Sequence, residues 1–339
     1  LWAWGIVLVT SGGLAIGVVL APAVSRSSPI ASSTAGALGW LLFVGTSVHV
    51  AATGCLFVLP EVVAVARRNL WRSRWVPSGL ILLSALVSAV VSPSGMALLL
   101  LAIFAWQFWH YQKQNLGMVS LATASHRVAA LTRSERWTIS SAGEAGIIGL
   151  VAHPRLLGLH VYRPLESMWV LAEVLLVAST CCGVALLASR PGLDRPAAFS
   201  VVYVLSLLFW TPMFLFESPY AAVSGMTIAH GFQYLVLVGL VLAGPSSKSR
   251  PVVRVGLALN AALLAGALLS WSSHLHSSPG PLRLLFGAYV GVLMTHFVID
   301  GSLWRLRDSS ARAFLAARVP YLVPALVVPV AGGSADGIE

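Results

Sequence analysis

The first 24 residues, LWAWGIVLVTSGGLAIGVVLAPAV, carry no charged side chain, and runs of this kind recur along the whole chain. About 20 consecutive apolar residues is the length at which an α-helix crosses the hydrocarbon core of a bilayer. Of the 339 residues, 58% are hydrophobic and 9% are charged, whereas soluble domains average about 25% charged residues. The strict apolar–polar alternation of a membrane barrel is absent, so backbone groups must be satisfied within helices. The prediction is an all-α, polytopic integral membrane helix bundle forming a single transmembrane domain over residues 1–339.

Candidate spans fall at residues 2–24, 37–64, 78–92, 94–112, 166–189, 197–217, 220–244, 252–272, 281–303 and 319–333, separated by links rich in Gly, Pro and Ser. The first is read as a spanning helix rather than a cleavable signal, because no basic stretch precedes it. Residues 113–165 form a less hydrophobic segment. Within it, WTISSAGEAGIIGLVAHPRLLG (137–158) is either an extra crossing or a re-entrant piece.

The net charge of +10 is concentrated in the links, as topogenic charge is, so no nucleic-acid partner is implied. Arg67, Arg68, Arg72 and Arg74 form one cluster, Lys248, Arg250 and Arg254 a second, and Arg305, Arg307 and Arg312 a third. With all three on the cytoplasmic side of a plasma (cytoplasmic) membrane, the N-terminus is inside. The crossings then number about eleven, or ten if 137–158 is re-entrant. Cys55, Cys181 and Cys182 lie in apolar runs without CxxC spacing, which argues against a disulfide framework or a zinc knuckle.

Ionisable side chains inside spans are costly and tend to face the bundle interior. GTSVHVAATGC places His49 mid-span, with Thr46 and Thr53 on the same helical face. GMTIAHGFQYLVLVG does the same for His230, with Gln233 nearby and Gly231 open to the close approach of a helix or ligand. In VLMTHFVID, His296 and Asp300 stand four residues apart, so their side chains share a face. Both can ligate one metal, or Asp300 can fix the tautomer of His296; pairing of Asp300 with Arg305 or Arg307 is the structural alternative. In FAWQFWHYQKQNLG, Gln107, His110 and Gln114 stack on one stripe, which predicts that the stripe points into a polar cavity. On these boundaries His49 and His230 lie near the bilayer centre, with His296 roughly 6 Å and His110 roughly 10 Å toward the cytoplasmic side. Glu173 and Glu144 are weaker candidates, and His274 and His276 fall in a link.

No GxxxxGK[ST] loop, HExxH helix or GxSxG elbow occurs. The clustered histidine boxes of membrane desaturases are absent as well. The resulting expectation is an integral membrane metal-dependent oxidoreductase or oxygenase acting on a lipidic substrate drawn from the bilayer. Its metal ligands would be His49, His110, His230, His296 and Asp300, holding one or two transition-metal ions, iron before others. Gln107, Gln114 and Gln233, with Asp300, would act in catalysis by orienting bound oxygen or a substrate headgroup. A redox partner would supply electrons. The alternatives are a proton-coupled transporter using the same histidines as a relay, and a haem-binding or structural subunit of a membrane complex. Haem is less favoured because no clear span carries two histidines at two-turn spacing.

Overall fold

The computed structural model describes residues 1–24, 29–245, 250–278, 280–306 and 308–323. Among them there is no β-strand, and eight helices are long and apolar enough to cross a membrane. The chain is therefore a multi-pass helix bundle, as composition requires.

The order begins with α1 (Trp2–Val24), then α2 (Pro29–Phe43), which runs through a π-helical turn (Val44–Val48) into α3 (His49–Cys55). The predicted span 37–64 does not continue to its end. Pro60 has no N–H to give and pushes Leu59 into an extended conformation (φ −85°, ψ 123°), so α4 (Pro60–Arg68) starts as a separate amphipathic helix. A second π-turn (Trp71–Trp75) leads into α5 (Val76–Val90).

α6 (Pro93–His126) has 34 residues, about 51 Å at 1.5 Å per residue. The predicted span ends at residue 112, where QKQN looks like an exit to water. The helix instead continues, because protein rather than water satisfies the polar groups. Gln112 donates to the Ile139 carbonyl and accepts from Trp210 Nε1 at 2.7 Å. His110 consequently lies at the middle of its helix rather than near an end.

Most of the disputed segment 137–158 lies in one helix, α7 (Arg133–Ala152), of 20 residues, and its end forms a separate 3-10 turn (Pro154–Leu157). The helix has the length of a crossing but is too polar to count among the eight apolar spans. Thr132 and Glu135 close its start with a reciprocal capping box. It packs along α8 (Glu166–Ser189). The predicted span 197–217 is also broken, into α9 (Ala197–Leu208) and α10 (Thr211–Leu215), with Trp210 fully buried at the joint.

A third π-turn (Tyr220–Ser224) precedes α11 (Gly225–Ala243). Next come α12 (Pro251–Ser273), α13 (Leu282–Leu303) and the short α14 (Ser309–Arg318), whose start is capped by Asp308. At this end of the bundle Arg318 holds Glu61 of α4 through two contacts of 2.7 and 2.6 Å and donates to the Pro245 carbonyl at 3.0 Å. The predicted span 319–333 reaches beyond the described residues from 324 onward, and Lys248 and Arg307 also lie outside them.

Two large apolar clusters fill the interior. One includes Val48, Ala52 and Tyr234, the other Phe108, Tyr111 and Ala229. Val48 of the first adjoins His49, and Tyr111 and Ala229 of the second adjoin His110 and His230, so those histidines lie at the seam between the two.

Candidate metal centre

Four helices each bring one histidine to this seam. His49 opens α3 directly after the first π-turn, and His230 lies six residues beyond the third π-turn. Such turns insert an extra residue and re-aim the side chains beyond them. Gly231 lies against the backbone of Gly45 so closely that an added Cβ would stand 2.2 Å from the Gly45 carbonyl oxygen. The open position expected beside His230 is therefore filled by a helix, and that contact brings the two helices close enough for His49 and His230 to touch.

The four imidazoles form a closed circuit. Ring centroids are 5.1 Å apart for His49–His230, 5.0 Å for His230–His110, 4.9 Å for His110–His296 and 4.9 Å for His296–His49. Every pair is close to perpendicular, at 73° to 89°. All four residues are buried, His230 completely. These short separations replace the spread of depths that the span boundaries implied.

Asp300 joins the cluster from one turn along α13. Its Oδ2 is 3.6 Å from His296 Nε2 and 3.8 Å from His110 Nε2. Two donors about 2.1 Å from one ion stand about 3.0 Å apart at a right angle and about 3.4 Å apart at the tetrahedral angle, so these separations need contraction of less than about 1 Å. Two sets of possible ligand atoms each lie within 4.8 Å of one another: His49, His230 and His296, and His110, His296 and Asp300. The pairing of Asp300 with Arg305 is not seen, because the carboxylate turns inward.

A hydrogen-bonded chain sets the orientation of these groups. Tyr234 donates to Asp300 Oδ1 at 2.8 Å. Thr53 Oγ1 lies 2.7 Å from the Tyr234 oxygen and 2.6 Å from His296 Nδ1. With Asp300 as a carboxylate the direction of every proton is set: Tyr234 donates to Asp300, Thr53 donates to Tyr234, and His296 Nδ1–H donates to Thr53. The Nε2 lone pair of His296 is left facing the other histidines, the tautomer a ligating imidazole needs.

Among the described residues, His296 Nε2, His110 Nε2 and both ring nitrogens of His230 have no hydrogen-bond partner. His49 faces the carbonyls of Gly45 and Thr46 one turn back without a well-formed hydrogen bond. Buried polar atoms are normally paired, so a group of adjacent unpaired nitrogens needs a reason.

The glutamines flank the cluster. Gln107 Nε2 donates to Tyr111 Oη at 2.5 Å, and the Tyr111 ring stacks on His230 at 4.0 Å, while Gln107 Oε1 has no partner among the described residues. Gln114 donates to the His230 carbonyl at 2.8 Å and to Gln233 at 2.9 Å, and Gln233 donates to Thr10 at 2.7 Å. The stripe Gln107–His110–Gln114 thus turns inward as expected. Gln114 and Gln233 are occupied tying α6, α11 and α1 together. Glu173 accepts from Trp169 on its own helix at 2.7 Å, and exposed His274 bonds its own backbone. Sequence reasoning missed Tyr234 and Tyr111. The signal for Tyr234 was its place four residues after His230; Tyr111 offered none beyond adjacency to His110. Comparison with known proteins gives no match to a family model, to a curated protein or to a solved structure.

Proposed function

We propose that the chain is an integral membrane metalloprotein whose buried centre binds a single transition-metal ion through His49, His110, His230, His296 and Asp300. The observation that carries this reading is the closed circuit of four histidines with adjacent unpaired nitrogens beside one inward-facing carboxylate. Both possible ligand sets share His296. Its Nδ1 is engaged by Thr53, so it has one nitrogen to give, which favours one ion over two.

A mixed nitrogen and oxygen donor set suits iron, manganese or zinc, and among these iron suits oxygen-dependent oxidation. The substrate is then lipidic, because the site is buried among helices that face lipid, and a separate redox partner supplies electrons. Around the ion, Thr53 and Tyr234 hold His296 and Asp300 in place. Tyr111 and Phe297 cover the faces of His230 and His110 at 4.0 and 4.6 Å and exclude water. The ring contacts of about 5 Å favour a bare ion over a haem, which would need the rings parted. On the positive-inside rule, the end carrying Arg67, Arg68, Arg250 and Arg305 faces the cytoplasm, with the N-terminus on the same side.

The chain His296–Thr53–Tyr234–Asp300 also favours a second reading, a proton relay within a transporter, since each member can pass a proton to the next. Elemental analysis of the purified chain, free of affinity-tag metal, separates the two. About one equivalent of iron or another transition metal supports the metalloprotein. No metal after anaerobic purification with added iron rejects it in favour of the relay.

A further inference from the structure

A second feature lies at the end of α13, one turn beyond Asp300. There α4, the second π-turn and the start of α14 enclose a cavity of about 260 Å³. Its lining is divided. Phe57, Val62, Ile299 and Leu303 form an apolar part, and Arg68, Arg72 and Arg305 add three guanidinium groups. Asp308 is the one acid on the wall, and its Oδ1 is occupied accepting from the backbone N–H groups of Ser310 and Ala311 at 2.9 and 3.2 Å.

These arginines are used differently from three others that are bonded within the protein. Arg190 and Arg318 are ion-paired, and Arg283 donates to a backbone carbonyl. Among the described residues, none of the guanidinium groups of Arg68, Arg72 and Arg305 has a hydrogen bond or an ion pair. Topogenic charge alone would be served by lysine or arginine anywhere in the link. Three planar donors around one cavity with an apolar wall are suited to an oxyanion carried on a hydrocarbon chain.

We infer that this cavity binds the anionic headgroup of an amphipathic lipid, a phosphate monoester or a carboxylate, with its first chain carbons against Phe57, Val62, Ile299 and Leu303. The site goes beyond the metal reading and stands without it, because none of its residues is a proposed ligand.

The test is titration calorimetry of the full chain in a neutral detergent, with and without prior chelation. The probes are dihexanoyl phosphatidic acid, dihexanoyl phosphatidylcholine and inorganic phosphate. Phosphatidic acid should saturate at one per chain, with phosphatidylcholine at least about tenfold weaker. Inorganic phosphate at equal concentration should not displace the lipid. The triple variant R68K/R72K/R305K keeps the charge count but loses the planar fork, and should weaken phosphatidic acid binding about tenfold. Arg72→Gln removes one exposed, unbonded side chain, so it leaves the fold unaffected and should weaken binding about threefold. Equal binding of phosphatidylcholine, or unchanged affinity in both variants, overturns the inference. Displacement by inorganic phosphate with the same sensitivity to Arg72→Gln overturns the lipid and leaves a free-oxyanion site. Persistence of binding after chelation separates this outcome from any failure of the metal centre.

Discussion

Two buried polar groupings in this molecule look alike in composition and opposite in bonding. At the α7–α8 end, Glu135 accepts from the Thr132 backbone and hydroxyl at 2.7 and 3.0 Å and from Arg190 at 2.5 and 2.7 Å, while Arg190 also donates to the carbonyls of Ala129 and Ala130. Nearly every donor and acceptor is used. At the histidine centre, adjacent ring nitrogens face one another with no partner among the described residues. Satisfied polar groups hold a fold together; a concentrated set of unsatisfied ones destabilises it unless something binds there. The first grouping is a fastening, and the second has the character of a site.

The contrast breaks most readily at the metal. His230→Ala and His296→Ala should each reduce bound metal from about one equivalent to a small fraction, with folded yield roughly unchanged: the His230 ring makes no hydrogen bond among the described residues, and the His296 ring gives up only the one to Thr53. Full metal content in both variants, measured by elemental analysis, would falsify the shared centre. Arg190→Ala should do the reverse. It strands Glu135 and should cost about 3 kcal/mol, the lower end for a broken buried pair because this one sits at a helix end. Thermal unfolding should register that loss while metal content stays at the wild-type value.

Smaller effects sharpen the contrast. Tyr234→Phe removes the donor to Asp300 and should weaken metal affinity about 10- to 100-fold, the usual effect of losing a group that orients a ligand. Competition with a chelator measures it, and unchanged affinity would mean that the hydrogen-bonded chain does not position the ligands. Acid provides the gentlest test. Burial pushes the Glu135 carboxyl up, but hydrogen bonds from Arg190 and Thr132 outweigh this and leave its pKa below the usual 4.5. A depressed carboxyl stabilises the fold fully above its ordinary pKa and loses that contribution as pH falls through the folded value. The unfolding temperature should therefore drop below about pH 4.5. In Arg190→Ala the contribution is gone, so the same acid-dependent loss should shrink; an identical acid limb would show that the pair does not produce it.

The sequence displayed the helical class and the identities of the clustered histidines, because burying an ionisable group in an apolar run leaves a visible mark. It did not display how the helices break. Pro60 truncates one predicted span, Trp210 marks a joint in another, and QKQN continues α6 where polarity suggested an end. The break at Pro60 is local, but the continuation of α6 and the placing of Trp210 depend on partners far apart along the chain, Gln112 with Ile139 and Trp210. The same limit explains why Gln114 and Gln233 read as candidates for chemistry while they serve as ties between helices, and why Tyr234 was overlooked. A hydroxyl in an aromatic ring looks apolar until its acceptor is known.

The π-turn at Val44–Val48 has a consequence for sequence register. An α-helix advances about 100° per residue, so one extra residue turns everything after it by that angle relative to everything before. Removing a single residue between positions 44 and 48 would leave the composition, length and hydropathy of the span almost unchanged. It would nevertheless swing His49 about a quarter-turn out of the circuit. In this chain the length of one turn, as much as the identity of a side chain, is a determinant of the centre.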